Sequence, residues 1–335
     1  MTPLISVVLP TFQHGESLPH AIDDILRQTC RALELIVVDD GSTDRTGEIL
    51  SGYTATDPRI QVVTRTHLGL LGALQTGADV AQGRFIARMD ADDRCDPTRL
   101  AKQLAWLEAH PGAGVVDCRV QLGETEATGE GMRRYVGWLN SLGAPDDLRR
   151  QLFIESPLVH PATLMRREAF DAAGGYLDEG GPEDYSLWLR MAGAGWELGK
   201  LPEVLATWCD PPGRFTRTAA VVSEDNIAGL KARHLAHHYP KIRRGVQIWG
   251  AGKEGKRMAR LLHARGIPIL RFFDLDPRKI GNSILGAPVL HLDALREHGA
   301  PPTLVGIGVR DAKPLVRERM TALSRVEGAD WIFIA

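Results

Sequence analysis

Cysteine is scarce in this chain: four in 335 residues, at Cys30, Cys95, Cys118 and Cys209. None forms a CxxC pair, so neither a zinc site with clustered ligands nor a disulfide scaffold is expected, and reduced thiols are the default. A surplus of one charge is also missing. Forty Lys and Arg face 42 Asp and Glu, a formal net charge of −2, so no global basic field points to nucleic acid as a partner. No uncharged apolar run approaches the ~18 residues of a membrane-spanning helix. Met1 to Leu9 lacks a basic leader and runs straight into a strand pattern, so a signal peptide is not expected. Repeats of solenoid period are absent. These absences set the expectation of a cytoplasmic protein. Peripheral contact with the inner membrane face and homo-oligomerisation both stay open.

What is present is 44% hydrophobic and 24% charged residues, enough chain for about two domains. Short apolar runs alternate with helical patterns. Leu4 to Leu9 reads as a strand. Leu18, Ile22, Ile25 and Leu26 mark one helical face, with Ser17 as its cap and Pro19 in its first turn. Strand Leu33 to Val38, a helix from Thr43, strand Ile60 to Val63, a helix from Leu70 and strand Arg84 to Arg88 follow. This order argues an α/β domain with a mixed, mostly parallel sheet between helices. Gly123 to Gly131 reads as a loop, and Pro211, Pro212 and Gly213 as a chain break. A strand over Thr163 to Met165, a helix from Glu183 and a helix from Ala219 to His238 complete the domain. At Gly245 the pattern restarts with strand Val246 to Trp249, helix Arg257 to Arg265 and strand Ile269 to Phe273. The expected domains are 1–240 and 241–335.

Four clusters carry chemistry, three of them at strand ends, where α/β sheets bind ligands. Pro10-Thr11-Phe12 follows the first strand. Asp39-Asp40-Gly41-Ser42-Thr43-Asp44 follows the second. Gly41 allows a tight turn, and Ser42 or Thr43 can cap the next helix; the two adjacent acids are left for another role. A carboxylate there can accept a hydrogen bond from a base N–H, as uracil offers, and Phe12 can stack on the base or simply fill the core. Asp90, Asp92 and Asp93 put three carboxylates within four positions. Such a cluster is relieved by a hard cation, Mg²⁺ or Mn²⁺, which can bridge a diphosphate; the bland alternative is a solvated turn capping a helix near Pro97. Glu183-Asp184 opens a helix, where the macrodipole favours acids and where a carboxylate can act as general base toward a hydroxyl. His160, before Pro161, can orient a substrate or serve the core.

At these residues the chain resembles the family 2 glycosyltransferases of the GT-A fold. The segments are SVVLPTF (Ser6 to Phe12), LIVVDDGSTD (Leu35 to Asp44), GRFIARMDADD (Gly83 to Asp93), VHPATLMRREAF (Val159 to Phe170) and EDYSLWLRMAGAG (Glu183 to Gly195). The resemblance implies an inverting transferase with a nucleotide-sugar donor, usually a UDP-sugar, Mn²⁺ or Mg²⁺, and a carbohydrate or glycolipid acceptor in surface polysaccharide or glycolipid assembly. It assigns Pro10, Thr11, Phe12 and Asp40 to the nucleoside, Asp90 to the ribose or metal, and Asp92 to the metal. Asp184 becomes the base, with Glu183 and Asp93 beside the chemistry, and Trp188 and Arg190 shape the acceptor side. One departure is plain: where the family often has Asn-x-Gly and then a basic residue, this chain has His67-Leu68-Gly69 and then Leu74. Arg65 or Arg88 is left to meet the diphosphate. The QxxRW signature of processive members is absent, which favours transfer of single sugars.

In the second domain Gly250-Ala251-Gly252-Lys253-Glu254-Gly255 matches GxGxxG after a strand and before a helix, and Asp274 follows 24 residues after Gly250. The unit looks Rossmann-like, and Phe272 to Leu290 resembles small nucleotide-sugar-binding domains. A full dinucleotide fold is larger, and no residue set for hydride transfer follows, so no redox cofactor is expected. Two other readings remain: a nucleotide-sugar-binding regulator with an inactive transferase domain, and an NAD(P)-dependent sugar enzyme working through the C-terminal domain.

Overall fold

The computed structural model describes residues 3–123, 129–209, 220–296, 301–308 and 312–335. The chain break read at Pro211 to Gly213 and most of the loop read at Gly123 to Gly131 lie outside them. The residues cluster into two compact units: 1–149, 157–179 and 183–219 in the first, and 150–156, 180–182 and 220–335 in the second. The division at 219/220 lies upstream of the 240/241 boundary read from the sequence. The reason is the helix Glu224–His238, which packs on the helix Lys253–His263 of the second unit.

In the first unit β1 (Ile5–Thr11), α1 (Leu18–Leu26), β2 (Leu33–Asp39), α2 (Thr46–Thr56), β3 (Ile60–Thr64), α3 (Leu70–Val80) and β4 (Phe85–Arg88) wind in the expected alternation. They are followed by β5 (Arg94–Cys95), α4 (Arg99–Ala109), β6 (Ala113–Leu122), α5 (Glu130–Ser141), α6 (Pro145–Gln151), β7 (Leu164–Arg166), α7 (Arg167–Ala172), α8 (Glu183–Gly193) and β8 (Glu197–Trp208). One sheet runs β3-β2-β1-β4-β7-β6-β8-β5. β3, β2, β1 and β4 are parallel, β7 is antiparallel to both its neighbours, and β6 and β8 are parallel. Every residue of β1 is buried, as a strand covered on both faces requires. Its Ile5, Val7 and Leu9 pack with Leu35, Val37, Phe85 and Leu164.

Two helix starts differ from the sequence reading. Ser17 is itself in helical conformation and makes no side-chain cap; the first turn hangs instead on the His14 carbonyl, which accepts from Leu18 N–H at 2.9 Å. α2 begins at Thr46, three residues late. Ser42 and Thr43 are drawn to Gln13, whose amide nitrogens reach Ser42 Oγ at 3.0 Å and Thr43 Oγ1 at 2.9 Å, so Asp44 takes over and accepts from Thr46 N–H at 3.0 Å.

The second unit contains α9 (Glu224–His238), β9 (Val246–Trp249), α10 (Lys253–His263), β10 (Ile269–Asp274), β11 (Ser283–Ile284), β12 (Ala287–His291), β13 (Thr303–Val305), α11 (Ala312–Ala322) and β14 (Trp331–Phe333). Its sheet runs β11-β12-β10-β9-β13-β14, parallel except for the short β11. α10 starts at Lys253, a turn earlier than the apolar periodicity suggested, because Gly252 leads directly into it. Gly255 is required by packing: a Cβ there would lie 1.8 Å from the Gly250 carbonyl oxygen. No helix among the described residues is long and apolar enough to cross a membrane. None of the four cysteines is in a disulfide.

Candidate functional site

The carboxyl ends of the adjacent strands β3, β2, β1 and β4 present a row of side chains: His67, Asp40, Thr11 with Phe12, and the Asp90 turn. Asp90, Asp92 and Asp93 bring their carboxylate oxygens within 4.8 Å of one another. Three hard oxygen donors at that spacing fit Mg²⁺ or Mn²⁺. Asp93 is buried and accepts from Cys209 N–H at 2.8 Å. The turn is also tied down from behind. Arg94, just after it, bonds Asp24 Oδ2 at 2.6 Å, and the arginines at 94 and 27 outweigh burial to hold the Asp24 carboxyl below its usual range. The capping role considered for these acids falls elsewhere: Asp96 accepts from Thr98 N–H at 2.8 Å just ahead of α4.

Arg88 is fully buried at the end of β4, a strand covered on both faces. It donates to Asp90 Oδ1 at 2.5 Å and to the Met89 carbonyl. Arg65 is equally committed, with Nε 3.2 Å from Asp40 and Nη1 bonded to Thr76 Oγ1 at 2.6 Å. Both arginines offered for the diphosphate are thus held in the protein's own network.

Glu183 and Asp184 lie in the first turn of α8. Glu183 faces His160 Nδ1 at 3.6 Å. Burial works to raise its carboxyl pKa, but His160 and Arg88 outweigh burial and keep it below the usual value. His160 bonds the Tyr176 hydroxyl through Nε2 at 2.9 Å, and burial drives that phenol well above its ordinary range. Asp184 is half-buried at the same helix end, with Oδ1 2.6 Å from Tyr185 N–H. Trp188 and Arg190, carried here by resemblance, support the site without lining it. Trp188 is completely buried and meets the His160 ring edge-on at 5.8 Å. Arg190 bonds the carbonyls of Ala173 and Gly175 and pairs with Glu179 at 3.4 Å. Trp188 points into the core, while Arg190, on another side of the helix and about 10% exposed, is held by the 173–179 segment.

The His160 turn is clasped by buried side chains that the sequence reading missed. Asp117 Oδ2 accepts from Val159 N–H at 3.0 Å, Arg99 donates to the Pro161 carbonyl at 2.7 Å, and Gln103 to the Ala162 carbonyl at 2.7 Å. Arg99 also donates to the Arg88 carbonyl at 3.2 Å, one strand end away. Asp117 in turn is paired with Lys200 at 2.5 Å, in register between β6 and β8. Burial pushes its carboxyl up to about 6 against the pull of Lys200. Arg99 and Gln103 lie on α4, where a polar residue reads as an ordinary surface position, and Asp117 and Lys200 lie on the paired strands β6 and β8.

The nucleoside candidates divide. Thr11 Oγ1 is buried without a hydrogen-bond partner among the described residues, and Phe12 is 38% exposed with its ring stacked on His67 at 4.1 Å. Asp40 is different: its carboxylate takes the N–H groups of Leu68 and Gly69, at 3.1 and 2.8 Å, and pairs with Arg65 and His67. Pro10 closes β1 beside them, paired with Val38.

In the second unit a cavity of about 890 Å³ opens beside Gly250 and Gly252, walled by Leu292, Ile307 and Val316. Asp274 does not face it unengaged. Its two oxygens accept from Ala251, Leu275 and Asp276 N–H groups and from Lys279 Nζ, at 2.8 to 3.0 Å.

Comparison with known proteins agrees with this geometry. A family model described as Glycosyl transferase family 2 matches residues 6–174. The putative glycosyltransferase EpsE of Bacillus subtilis is 31% identical over 229 residues, covering 67% of this chain and 79% of that one. The amylovoran biosynthesis glycosyltransferase AmsE of Erwinia amylovora is 29% identical over 210 residues, covering 60% and 74%. Among solved structures, residues 1–349 of S. aureus TarS, crystallised with UDP-GlcNAc, superpose with a TM-score of 0.58 at 16% identity, covering 77% of this chain and 71% of that chain. That likeness is one of fold.

Proposed function

The chain belongs to glycosyl transferase family 2 and is a glycosyltransferase with a GT-A fold, and from that premise we propose that it moves one sugar, with inversion, from a nucleoside diphosphate donor to an acceptor hydroxyl. The observation that carries this reading is a chain of contacts: Arg88 bonds Asp90, Arg99 ties the Arg88 carbonyl to the Pro161 carbonyl of the His160 turn, and His160 faces Glu183. It supports reading the carboxylate turn and the α8 acids as parts of one site.

Asp92 and Asp90 would hold Mn²⁺ or Mg²⁺, with Asp93 buried as their support, and the cation would supply positive charge to offset that of the departing diphosphate. Asp184 takes the proton from the acceptor hydroxyl. The hydroxyl oxygen bonds to the anomeric carbon from the face opposite the diphosphate. The bond to the phosphate oxygen breaks, and its electron pair leaves with the nucleoside diphosphate. Glu183 stays ionised beside Asp184, and His160, buried and fixed by Tyr176, positions Glu183. UDP is the favoured nucleotide, and the acceptor in this reading is a carbohydrate or glycolipid of surface glycan assembly; the similar AmsE is named for amylovoran biosynthesis. For the second unit we propose assembly or nucleotide-sugar recognition without a redox cofactor. The engagement of Asp274 supports this, since a dinucleotide ribose needs that carboxylate.

Calorimetry with UDP, with and without Mn²⁺, tests the donor site. Weak binding in EDTA and tight binding with Mn²⁺ are expected. Equal affinity in both would remove the carboxylates' metal role.

A further inference from the structure

Lysine and arginine are unevenly spread along the chain. The 48 residues from Asn226 to Phe273 hold eleven of them against one acid, Glu254, in a chain whose totals are 40 and 42. Part of this charge is used inside the second unit. Lys231 is buried and donates to the Ile154 and Ile334 carbonyls. Lys253 and Arg257 pair with Glu224 at 2.7 and 2.8 Å. Arg233, Lys241, Arg243, Arg244, Arg260 and Arg265 are left, and all six are exposed. Among the described residues no ion pair reaches the last five.

The topology gathers these cations at one edge. α9 runs through Tyr239 into a short 3-10 turn, Pro240–Arg244, which leads into β9. α10 returns the chain to β10, which is parallel to β9, and Val246 N–H bonds the Pro268 carbonyl at 2.9 Å. Both helices therefore end at the amino-terminal edge of the sheet, with the 3-10 turn beside them. The glycine turn and its cavity lie at the carboxyl edge. Lys241, Arg243 and Arg244 stand on the 3-10 turn, Arg265 follows α10, and Arg233 and Arg260 lie on the C-terminal halves of the two helices. Arg265 registers the crowding: partial burial and the charge of Arg233 both lower its pKa. One acid at this edge, Asp330, lies just ahead of β14 and accepts from Val326 N–H at 2.9 Å. The edge stays strongly positive.

Six exposed cations on one edge favour an extended anionic partner. Nucleic-acid surfaces interleave aromatic rings for stacking, and here Trp249, Phe272 and Phe273 are buried. A two-fold pair of chains would set the basic edge against itself. A layer of lipid phosphates suits it better, since clusters of about four to eight Lys and Arg bind anionic lipid.

We propose that the amino-terminal edge of the second unit docks on an anionic phospholipid bilayer. The contact is electrostatic and reversible, and it weakens as salt rises. The choice of a membrane draws on the glycolipid acceptor proposed above. The vesicles of the test carry neither donor nor acceptor, so the two readings fail separately.

The test is co-flotation of the full chain with vesicles of phosphatidylcholine alone and of phosphatidylcholine with phosphatidylglycerol, at ~0.1 M and ~0.5 M salt. The wild type should float with the anionic vesicles at low salt and with neither kind at high salt. Lys241→Glu/Arg243→Glu/Arg244→Glu should lower partition onto anionic vesicles by roughly 100-fold or more, since each cation near such a surface counts for about fivefold. Arg31→Glu/Arg133→Glu/Arg149→Glu, the same charge change at exposed positions of the first unit, should keep most of the binding. Melting curves check that both variants fold; if the first melts early, Lys241→Gln/Arg243→Gln/Arg244→Gln takes its place with a loss in the same direction. Equal flotation of the wild type on both kinds of vesicle, flotation on neither, or an unchanged 241/243/244 variant overturns the inference. A tighter hold on duplex DNA than on anionic vesicles also overturns it and makes nucleic acid the partner. An oligomer that the 241/243/244 variant breaks, with no vesicle binding, overturns it in favour of a second copy.

Discussion

Replacing Lys200 by Met removes the cation that faces Asp117 and leaves a carboxylate with no exposed surface. The pair is 2.5 Å apart, and at an effective dielectric of ~20 its attraction is several kcal/mol, set against several kcal/mol per ion for leaving water. The net cost of removing one partner is therefore expected at ~3–5 kcal/mol at pH 8. The pH dependence follows from the same burial. Asp117 has its folded pKa raised from 3.8 to about 6. Its stabilising contribution is complete below pH 3.8 and is lost as pH rises through about 6, a difference of ~3 kcal/mol at 1.36 kcal/mol per unit. Without Lys200 the carboxyl titrates higher still, so the loss extends to higher pH. The deficit of Lys200→Met should thus be largest at pH 8 and should shrink steadily to pH 5, where the group is neutral in both proteins. Guanidinium titrations followed by tryptophan fluorescence at pH 5, 6, 7 and 8 measure it. The double variant Asp117→Leu/Lys200→Met should recover to within ~2 kcal/mol of the wild type, the remainder being the orphaned Val159 N–H. A deficit constant from pH 5 to pH 8, or one below ~1 kcal/mol throughout, would refute the reasoning.

Asp184→Asn should keep UDP–Mn²⁺ affinity and lose transfer by at least ~100-fold; near-normal turnover would take Asp184 out of the mechanism. Asp92→Asn should weaken UDP binding in Mn²⁺ to the level seen in EDTA, read by calorimetry, and an unchanged metal response would reassign the ligand. Gly255→Val puts a Cβ against the Gly250 carbonyl and should destabilise the second unit by more than the ~1–3 kcal/mol of ordinary overpacking; a melting curve identical to the wild type contradicts that packing. The full chain should not reduce NAD(P)⁺ with sugar or nucleotide-sugar substrates, and substrate-dependent formation of NAD(P)H above the blank would reassign the second unit.

Much of the first unit was legible because its strands are covered on both faces. Runs such as Leu4 to Leu9 and Leu33 to Val38 have little use except as buried parallel strands, and helices between them must lie on the faces. The carboxylate turn was legible for a related reason: three acids directly after an apolar strand are costly without a task. Ser42 and Thr43 failed as caps because Gln13, about thirty residues earlier in the chain, holds their hydroxyls, a tertiary contact that leaves no local mark. Ser17 failed for a local reason, since the His14 carbonyl takes the first helical N–H. Arg99, Gln103 and Asp117 were invisible for the opposite reason. On helices and strands they read as ordinary polar positions, and only the fold turns them inward to the backbone of the His160 turn. Asp40 shows the limit from another side. A strand-end acid was expected to meet a ligand, and its lone pairs went to a loop whose N–H groups no sequence pattern announces.

The clasp around the His160 turn is made almost entirely to main-chain atoms: Arg99 and Gln103 bond the carbonyls of Arg88, Pro161 and Ala162, and Asp117 the N–H of Val159. A carbonyl oxygen is the same whatever side chain stands on its residue. The scaffold therefore holds its shape without dictating the chemistry displayed on it. The side chains of Leu158, Val159 and Ala162 are themselves buried, so packing, and not these bonds, sets what can stand there. The anchors are constrained differently: a change at Arg99 reaches two strand ends at once, so substitutions there are expected to be the least tolerated.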